Sequence, residues 1–151
     1  MADLARSMPT MLRHAGWWEG EYRVIERDGT LSDFHHMRTF CEFPAEGPHA
    51  YLQHNWLRWQ DGRTLERVFG ASFRDGRLWW DTERLQGYGW ETEGGIVMLN
   101  LVHKTEADLR FTEMIELSGN GQKRARTWQW FRNGEPVRRT LCDEWRVGNA
   151  L

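Results

Sequence analysis

Five Asp-Gly or Asn-Gly dipeptides cut this chain into short segments: Asp28-Gly29, Asp61-Gly62, Asp75-Gly76, Asn120-Gly121 and Asn133-Gly134. These pairs tolerate the positive φ that tight hairpin turns need, so each predicts a strand reversal. Between them apolar and polar residues alternate with period two from Trp17 onward. Strands are expected near 17–27, 30–43, 49–60, 63–74, 77–83, 85–92, 96–104, 109–119, 122–132 and 135–147. A longer connection lies at Pro44 to Pro48, and Gly94-Gly95 makes another tight one. A meander of about ten strands removes its two exposed edges by closing on itself. The expected fold class is therefore all-β: a single closed antiparallel up-and-down β-barrel of about ten strands with a short N-terminal helix. About ten strands enclose a cavity, where eight are nearly filled by their own side chains.

At 151 residues the chain makes one domain and buries roughly 70% of the surface its unfolded form exposes. Residues 1–16 read as a helical lid or plug, with Leu4, Met8, Met11 and Leu12 on one side, and residues 17–151 as the barrel. A formal net charge of −2, with Lys and Arg dispersed among acids, argues against nucleic acid as a partner. No apolar run is long enough to span a membrane, and with Asp3, Arg6, Arg13 and His14 but no continuous apolar stretch in residues 1–16 no signal peptide is expected. Cys41 and Cys142 fall on non-adjacent strands, so free thiols and a cytoplasmic location are expected. Ten tryptophans in a chain of mean hydropathy −0.74 mean a core built from a few large rings. Rings of that kind lining a concave site suit flat or apolar ligands.

Two-residue turns would also fix the register. Around Asp28-Gly29, Trp18 faces Thr39, Gly20 faces Met37 and Tyr22 faces His35, while Glu19 meets Arg38 on the opposite, solvated face. Asp61-Gly62 sets Leu52 against Ala71, His54 against Phe69 and Trp56 against Arg67. Asp75-Gly76 pairs Ala71 with Trp80, and Asn120-Gly121 pairs Glu113 with Trp128 and Ile115 with Arg126. Asn133-Gly134 then sets Trp128 against Arg139 and Arg126 against Leu141, with Asp143 across from Arg124.

Polar residues on the apolar face are the informative ones, because burying them unpaired is costly. Glu113 sits between Phe111 and Ile115 with Arg126 and Arg139 nearby. It reads either as half of a buried ion pair or as an acid–base group beside arginines that hold a ligand carboxylate or phenolate. Arg67 reads as packing on Trp56 or as ligand-binding charge. His35, His54 and His103 are expected to face inward; His54, on the most apolar face, is the candidate for proton transfer. Tyr22 and Tyr88 can offer hydroxyls, and Trp56, Trp80, Trp90 and Trp128 walls. Gly87 and Gly89 point to close packing beside Tyr88. No His-x-His or Cys-x-x-Cys spacing occurs, so no metal is expected, and no phosphate-binding glycine loop or nucleophile elbow suggests another cofactor.

Gly16-x-Trp18-x-Gly20 resembles the first strand of the calycins, the superfamily of lipocalins, fatty-acid-binding proteins and nitrobindin-like barrels. That resemblance implies a Trp that closes one barrel end against an Arg from a late strand, for which Arg138, Arg139 and Arg146 are available. Nitrobindin-like members hold haem through a histidine late in the chain. Here His103 is the last histidine, so haem binding of that type is not expected. The segment from Arg124 to Gly134, followed by Arg139-Thr-Leu, is similar to uncharacterised bacterial lipocalin-like domains grouped with bilin-lyase barrels. The resemblance implies a fold and a ligand-sized cavity, not a reaction.

The functional expectation is an intracellular barrel binding a small, largely apolar, aromatic and anionic ligand. Tyr22, His35, Trp56, Arg67, Trp80, Tyr88, Trp90, Arg126, Trp128 and Arg139 are the candidate ligand-binding residues. The first alternative is a cofactor-independent lyase, isomerase or cyclase in the same cavity, with Glu113 or His54 as its catalytic acid–base. The second is a filled barrel acting as an interaction module, with Trp17, Trp59 or Trp79 at a possible homodimer face.

Overall fold

The computed structural model of the protein describes residues 2–148. Two short helices, α1 (Ala2–Ser7) and α2 (Pro9–Leu12), precede ten strands. These are β1 (Gly16–Glu26), β2 (Leu31–Glu42), β3 (Tyr51–Arg58), β4 (Thr64–Arg74), β5 (Arg77–Asp81), β6 (Leu85–Glu91), β7 (Val97–His103), β8 (Leu109–Leu117), β9 (Lys123–Arg132) and β10 (Glu135–Val147). Every strand pairs antiparallel with its sequence neighbours, and β1 pairs with β10, so the sheet closes without an edge. The expected single helix is broken ahead of Pro9, whose ring cannot continue the preceding turn.

Leu4, Met8 and Met11 are buried among the core residues, and Ser7, Thr10 and Arg13 lie against the turns at Gly76, Gly95 and Gly121, at one end of the barrel. Glu91 fixes α2 there by accepting from the backbone N–H of Thr10 at 3.1 Å and of Met11 at 3.0 Å. No helix among the described residues is long and apolar enough to cross a membrane. Cys41 and Cys142 are buried free thiols.

The turns account for which register expectations hold. Asp75-Gly76 is a true two-residue turn, with φ of 51° and 74°, and Ala71 pairs with Trp80 as expected. Asp28-Gly29 and Asp61-Gly62 instead sit in longer loops closed by Glu26 with Thr30 and by Trp59 with Arg63, their glycines at φ of 90° and 88°. That is the type I turn with a glycine bulge, one residue longer than a type I′ turn. In the first hairpin a bulge at Ser32 cancels the slip, so Trp18 faces Thr39 and Tyr22 faces His35. In the second nothing cancels it: Asn55 faces Arg67, His54 faces Val68 and Trp56 faces Glu66. A slip of one residue exchanges the two faces of a strand. The β3 wall inside the barrel is therefore Tyr51, Gln53, Asn55 and Leu57, and His54 and Trp56 are outside.

The last hairpin departs in the same way. Asn133-Gly134 is a two-residue turn, but a bulge at Val137 shifts the pairing beyond it. Trp128 therefore faces Thr140 rather than Arg139, Arg126 faces Cys142 rather than Leu141, and Arg124 faces Glu144 rather than Asp143. Between β5 and β6 the connection pairs Trp80 with Gly87 and Leu78 with Gly89, so Tyr88 and Trp90 also point outward. Glycine at the inward positions has a packing cause: a Cβ on Gly89 would stand 3.0 Å from the Trp80 ring.

Candidate functional site

Trp18, two residues after the start of β1, is fully buried. Its indole N–H donates to the His14 carbonyl at 2.8 Å, and guanidinium groups lie near the ring from two strands, Arg124 at 4.5 Å and Arg146 at 4.4 Å. Arg146 ties the N-terminal segment to the β8–β9 turn by donating to the carbonyls of Gly121 at 2.9 Å, Ala15 at 2.5 Å and Arg13 at 2.7 Å. His14, beside this stack, has its imidazole pKa lowered to about 2 by burial and then by Arg124, Arg126, Arg146 and Arg13. It is a neutral structural ring.

Next along the barrel comes a buried quartet of two arginines and two glutamates. Arg124 pairs with Glu144 through two nitrogens, one at 3.1 Å. Arg126 donates from Nε to Glu113 at 2.6 Å and from Nη1 to the Tyr22 hydroxyl at 2.7 Å. The Trp128 indole takes the second oxygen of Glu113, and the Tyr22 hydroxyl reaches Glu144 at 3.3 Å. Burial pushes the Glu113 carboxyl upward against the opposing pull of Arg126. For Glu144 burial acts the same way, but Arg124 and then Arg126 outweigh it and hold the carboxyl low. The quartet carries no net charge and both oxygens of Glu113 are occupied. Glu113 is thus satisfied by its own neighbours.

The quartet borders a cavity of about 400 Å³, which Glu113 and Arg126 line together with Met11 of α2. Its walls are of two kinds. Strands β5 to β8 contribute Trp80, Leu85, Val97, Leu99, Leu101, Phe111 and Ile115. Strand β3 contributes a polar strip, in which Tyr51 donates to Gln53 at 2.8 Å and Gln53 donates to Asn55 at 2.9 Å. Two cations line the cavity without an ion-pair partner among the described residues, Arg67 on β4 and Arg84 in the β5–β6 connection. Nε of Arg67 is buried without a hydrogen bond.

The structure brings together Tyr22, His35, Arg67, Trp80, Glu113, Arg126 and Trp128 around this cavity. It does not bring His54, Trp56, Tyr88, Trp90 or Arg139 there. His54 pairs with Glu42 at 3.1 Å, and Trp56 stacks on Trp17 at 5.5 Å on the outer face. Tyr88 packs between Trp79 and Trp90 outside, and Arg139 donates to Gln129 at 3.0 Å. Trp59, expected at an outer face, lines the cavity and donates its indole N–H to Asp33 at 2.8 Å. Sequence reasoning missed Asp33, Asn55, Arg84 and Glu144. Asp33 shares its strand face with His35 and was findable by parity alone; the others depend on where bulges and loops fall. No group of three or more His, Cys, Asp or Glu among the described residues is placed to hold a metal ion.

No protein-family model and no curated protein matches the sequence. Solved structures do match the fold. An S-type phycobiliprotein lyase from Guillardia theta superposes with a TM-score of 0.76 at 13% identity, covering 99% of this chain and 97% of that one. Rv2717c from M. tuberculosis gives 0.62 at 12% identity, covering 93% and 97%. A protein of unknown function from the DUF3598 family of Nostoc punctiforme gives 0.67 at 20% identity over 91% of this chain. This chain spans about half of that protein, 49% of its length. The fold, shared with these solved structures, is thus a closed ten-stranded antiparallel barrel.

Proposed function

We propose that this barrel is a calycin that binds an aromatic, anionic small molecule in its cavity. The observation that carries the reading is the pairing of an apolar wall with two uncompensated cations. Arg67 and Arg84 face the same space as Trp80, Leu99, Leu101 and Phe111, while the buried Arg124 and Arg126 are each paired with a glutamate. A guanidinium in such surroundings favours a carboxylate or phenolate partner. The polar strip of Tyr51, Gln53 and Asn55 suits a ligand with hydrogen-bonding groups along one edge and bare ring along the other.

A lyase-like reaction in the same cavity is the second reading, supported by the likeness to the phycobiliprotein lyase, which extends to the fold. It loses both acid–base groups first considered for it, since Glu113 is fully engaged and His54 lies outside.

Thermal unfolding with naphthoate, with a naphthyl ammonium ion of similar shape, and with a bilin tests the proposal, because ligand that binds only the folded state raises the midpoint. Naphthoate or the bilin should stabilise the protein and the ammonium ion should not. The Arg67→Gln, Arg84→Gln double variant should lose the effect. Equal stabilisation by both naphthyl compounds, or none by any of the three, contradicts it.

A further inference from the structure

Five of the ionisable groups lining the cavity are His35, Arg67, Arg84, Glu113 and Arg126, and only one of them is built to exchange a proton. Glu113 has both oxygens occupied and Arg126 is locked to it. The Tyr22 hydroxyl, which also reaches the cavity, is held between Arg126 and Glu144. The two thiols are not among the lining groups.

His35 is different. Its Nδ1 meets Asp33 Oδ2 at 2.7 Å, and the other oxygen of Asp33 accepts the Trp59 indole N–H at 2.8 Å. The ring is clamped between Tyr22, stacked at 5.1 Å, and Trp59 at 5.0 Å. A carboxylate opposite Nδ1 keeps the proton on that nitrogen and leaves the Nε2 lone pair free. Nε2 has no hydrogen-bond partner among the described residues, and His35 lines the cavity. A fixed imidazole with a carboxylate behind it and an open nitrogen in front is the arrangement of a positioned base.

We propose that His35, oriented by Asp33 and Trp59, accepts the proton of an acidic hydroxyl, phenolic or enolic, on the ligand bound in this cavity. The ligand's O–H bond breaks and an Nε2–H bond forms. The electron pair stays on the ligand oxygen, and Asp33 balances the imidazolium. No co-reactant is needed. The charged and titratable groups facing His35 are Asp33 on its own strand and Tyr22 on β1, the latter bound to Arg126 of β9. Arg67 and Arg84 line the same cavity and favour the oxyanion formed. The ligand class narrows to a hydroxylated aromatic or enolic acid. This inference rests on the proposed binding of aromatic anions.

The test uses a hydroxynaphthoate whose hydroxyl lies on the ring remote from the carboxylate, and its methoxy counterpart. Absorbance of the bound probe is read at a pH where the free compound is still a neutral phenol. Wild-type protein should bind both compounds and show the phenolate band for the first. At saturating probe, His35→Gln and Asp33→Asn should show about a tenfold lower phenolate-to-phenol ratio than wild type, one unit of apparent probe pKa. A phenolate band that survives in His35→Gln, or that vanishes only in Arg67→Gln, overturns the assignment to His35. Binding of both compounds with a neutral-phenol spectrum overturns it too, while leaving the cavity as a ligand site. If neither compound binds, the binding proposal fails and this one with it.

Discussion

Arg126 and Glu113 lie on adjacent strands with Nε and Oε1 2.6 Å apart, both buried, in the wall of the cavity. Breaking such a pair from one side leaves a buried charge uncompensated and costs about 3–5 kcal/mol, whereas replacing both partners by apolar residues costs far less. Glu113→Gln and Arg126→Met alone should each lower stability by amounts in or near that range. The double variant should lose less than the sum of the two. Denaturant unfolding of all four proteins measures the coupling.

Gly20 faces Glu144 across β1 and β10, and a Cβ there would overlap Cγ of Glu144 and approach the Asp143 carbonyl at 2.6 Å. Gly20→Ala should therefore push Glu144 off Arg124 and destabilise the protein by about 1–3 kcal/mol. Gly134→Ala, at a turn where nothing lies within 4 Å, should be felt only through its positive φ of 80° and cost less. Midpoints of thermal unfolding compare the two.

His14 makes stability depend on pH in a predictable direction. The unfolded chain protonates this ring near 6.5, and the folded protein only near 2, because of burial and the surrounding arginines. Below pH 6.5 the unfolded state binds the extra proton, so His14's contribution is complete above that pH and is lost as pH falls toward 2. The slope is at most about 1.4 kcal/mol per pH unit. His14→Gln should be less stable than wild type at pH 7 but should lose less between pH 7 and pH 5. Parallel denaturant curves at the two pH values check it.

Much of the barrel was legible because one turn type needs few residues to specify it. Asp75-Gly76 adopts its two-residue form and carries the β4–β5 register correctly. The same dipeptide at Asp61-Gly62 takes a three-residue loop, and neither Asp nor Gly records the difference, since both loops need positive φ at the glycine. Asp28-Gly29 is read correctly only because the bulge at Ser32 restores parity, and the bulge at Val137 undoes an otherwise correct turn. One misplaced residue in each of the Asp61-Gly62 and Asn133-Gly134 hairpins moved His54 and Trp56, and then Arg139, out of the cavity and kept Asn55 and Glu144 out of view. The Gly16-x-Trp18-x-Gly20 signal was more robust, because Trp18 at the barrel end and Arg146 beside it depend on the closure of β1 on β10 rather than on any single loop.

The outer aromatic cluster supplies a control. Trp56→Ala, Tyr88→Phe and Arg139→Gln change residues that do not line the cavity. Each should leave naphthoate affinity within about twofold of wild type, whereas Arg67→Gln should weaken it by about tenfold or more, the loss of a charge-assisted hydrogen bond. Calorimetric titration of the four variants reads the contrast.

The ten tryptophans allow the central claim to be tested residue by residue, through their indole N–H resonances during a titration with naphthoate. Trp59, Trp80, Trp128 and Trp130 line the cavity, whereas Trp17, Trp18, Trp56, Trp79, Trp90 and Trp145 do not. The account predicts shifts confined to the first group as the cavity fills. Shifts in the second group alone, or none at saturating naphthoate, would show that the aromatic anion does not enter the barrel.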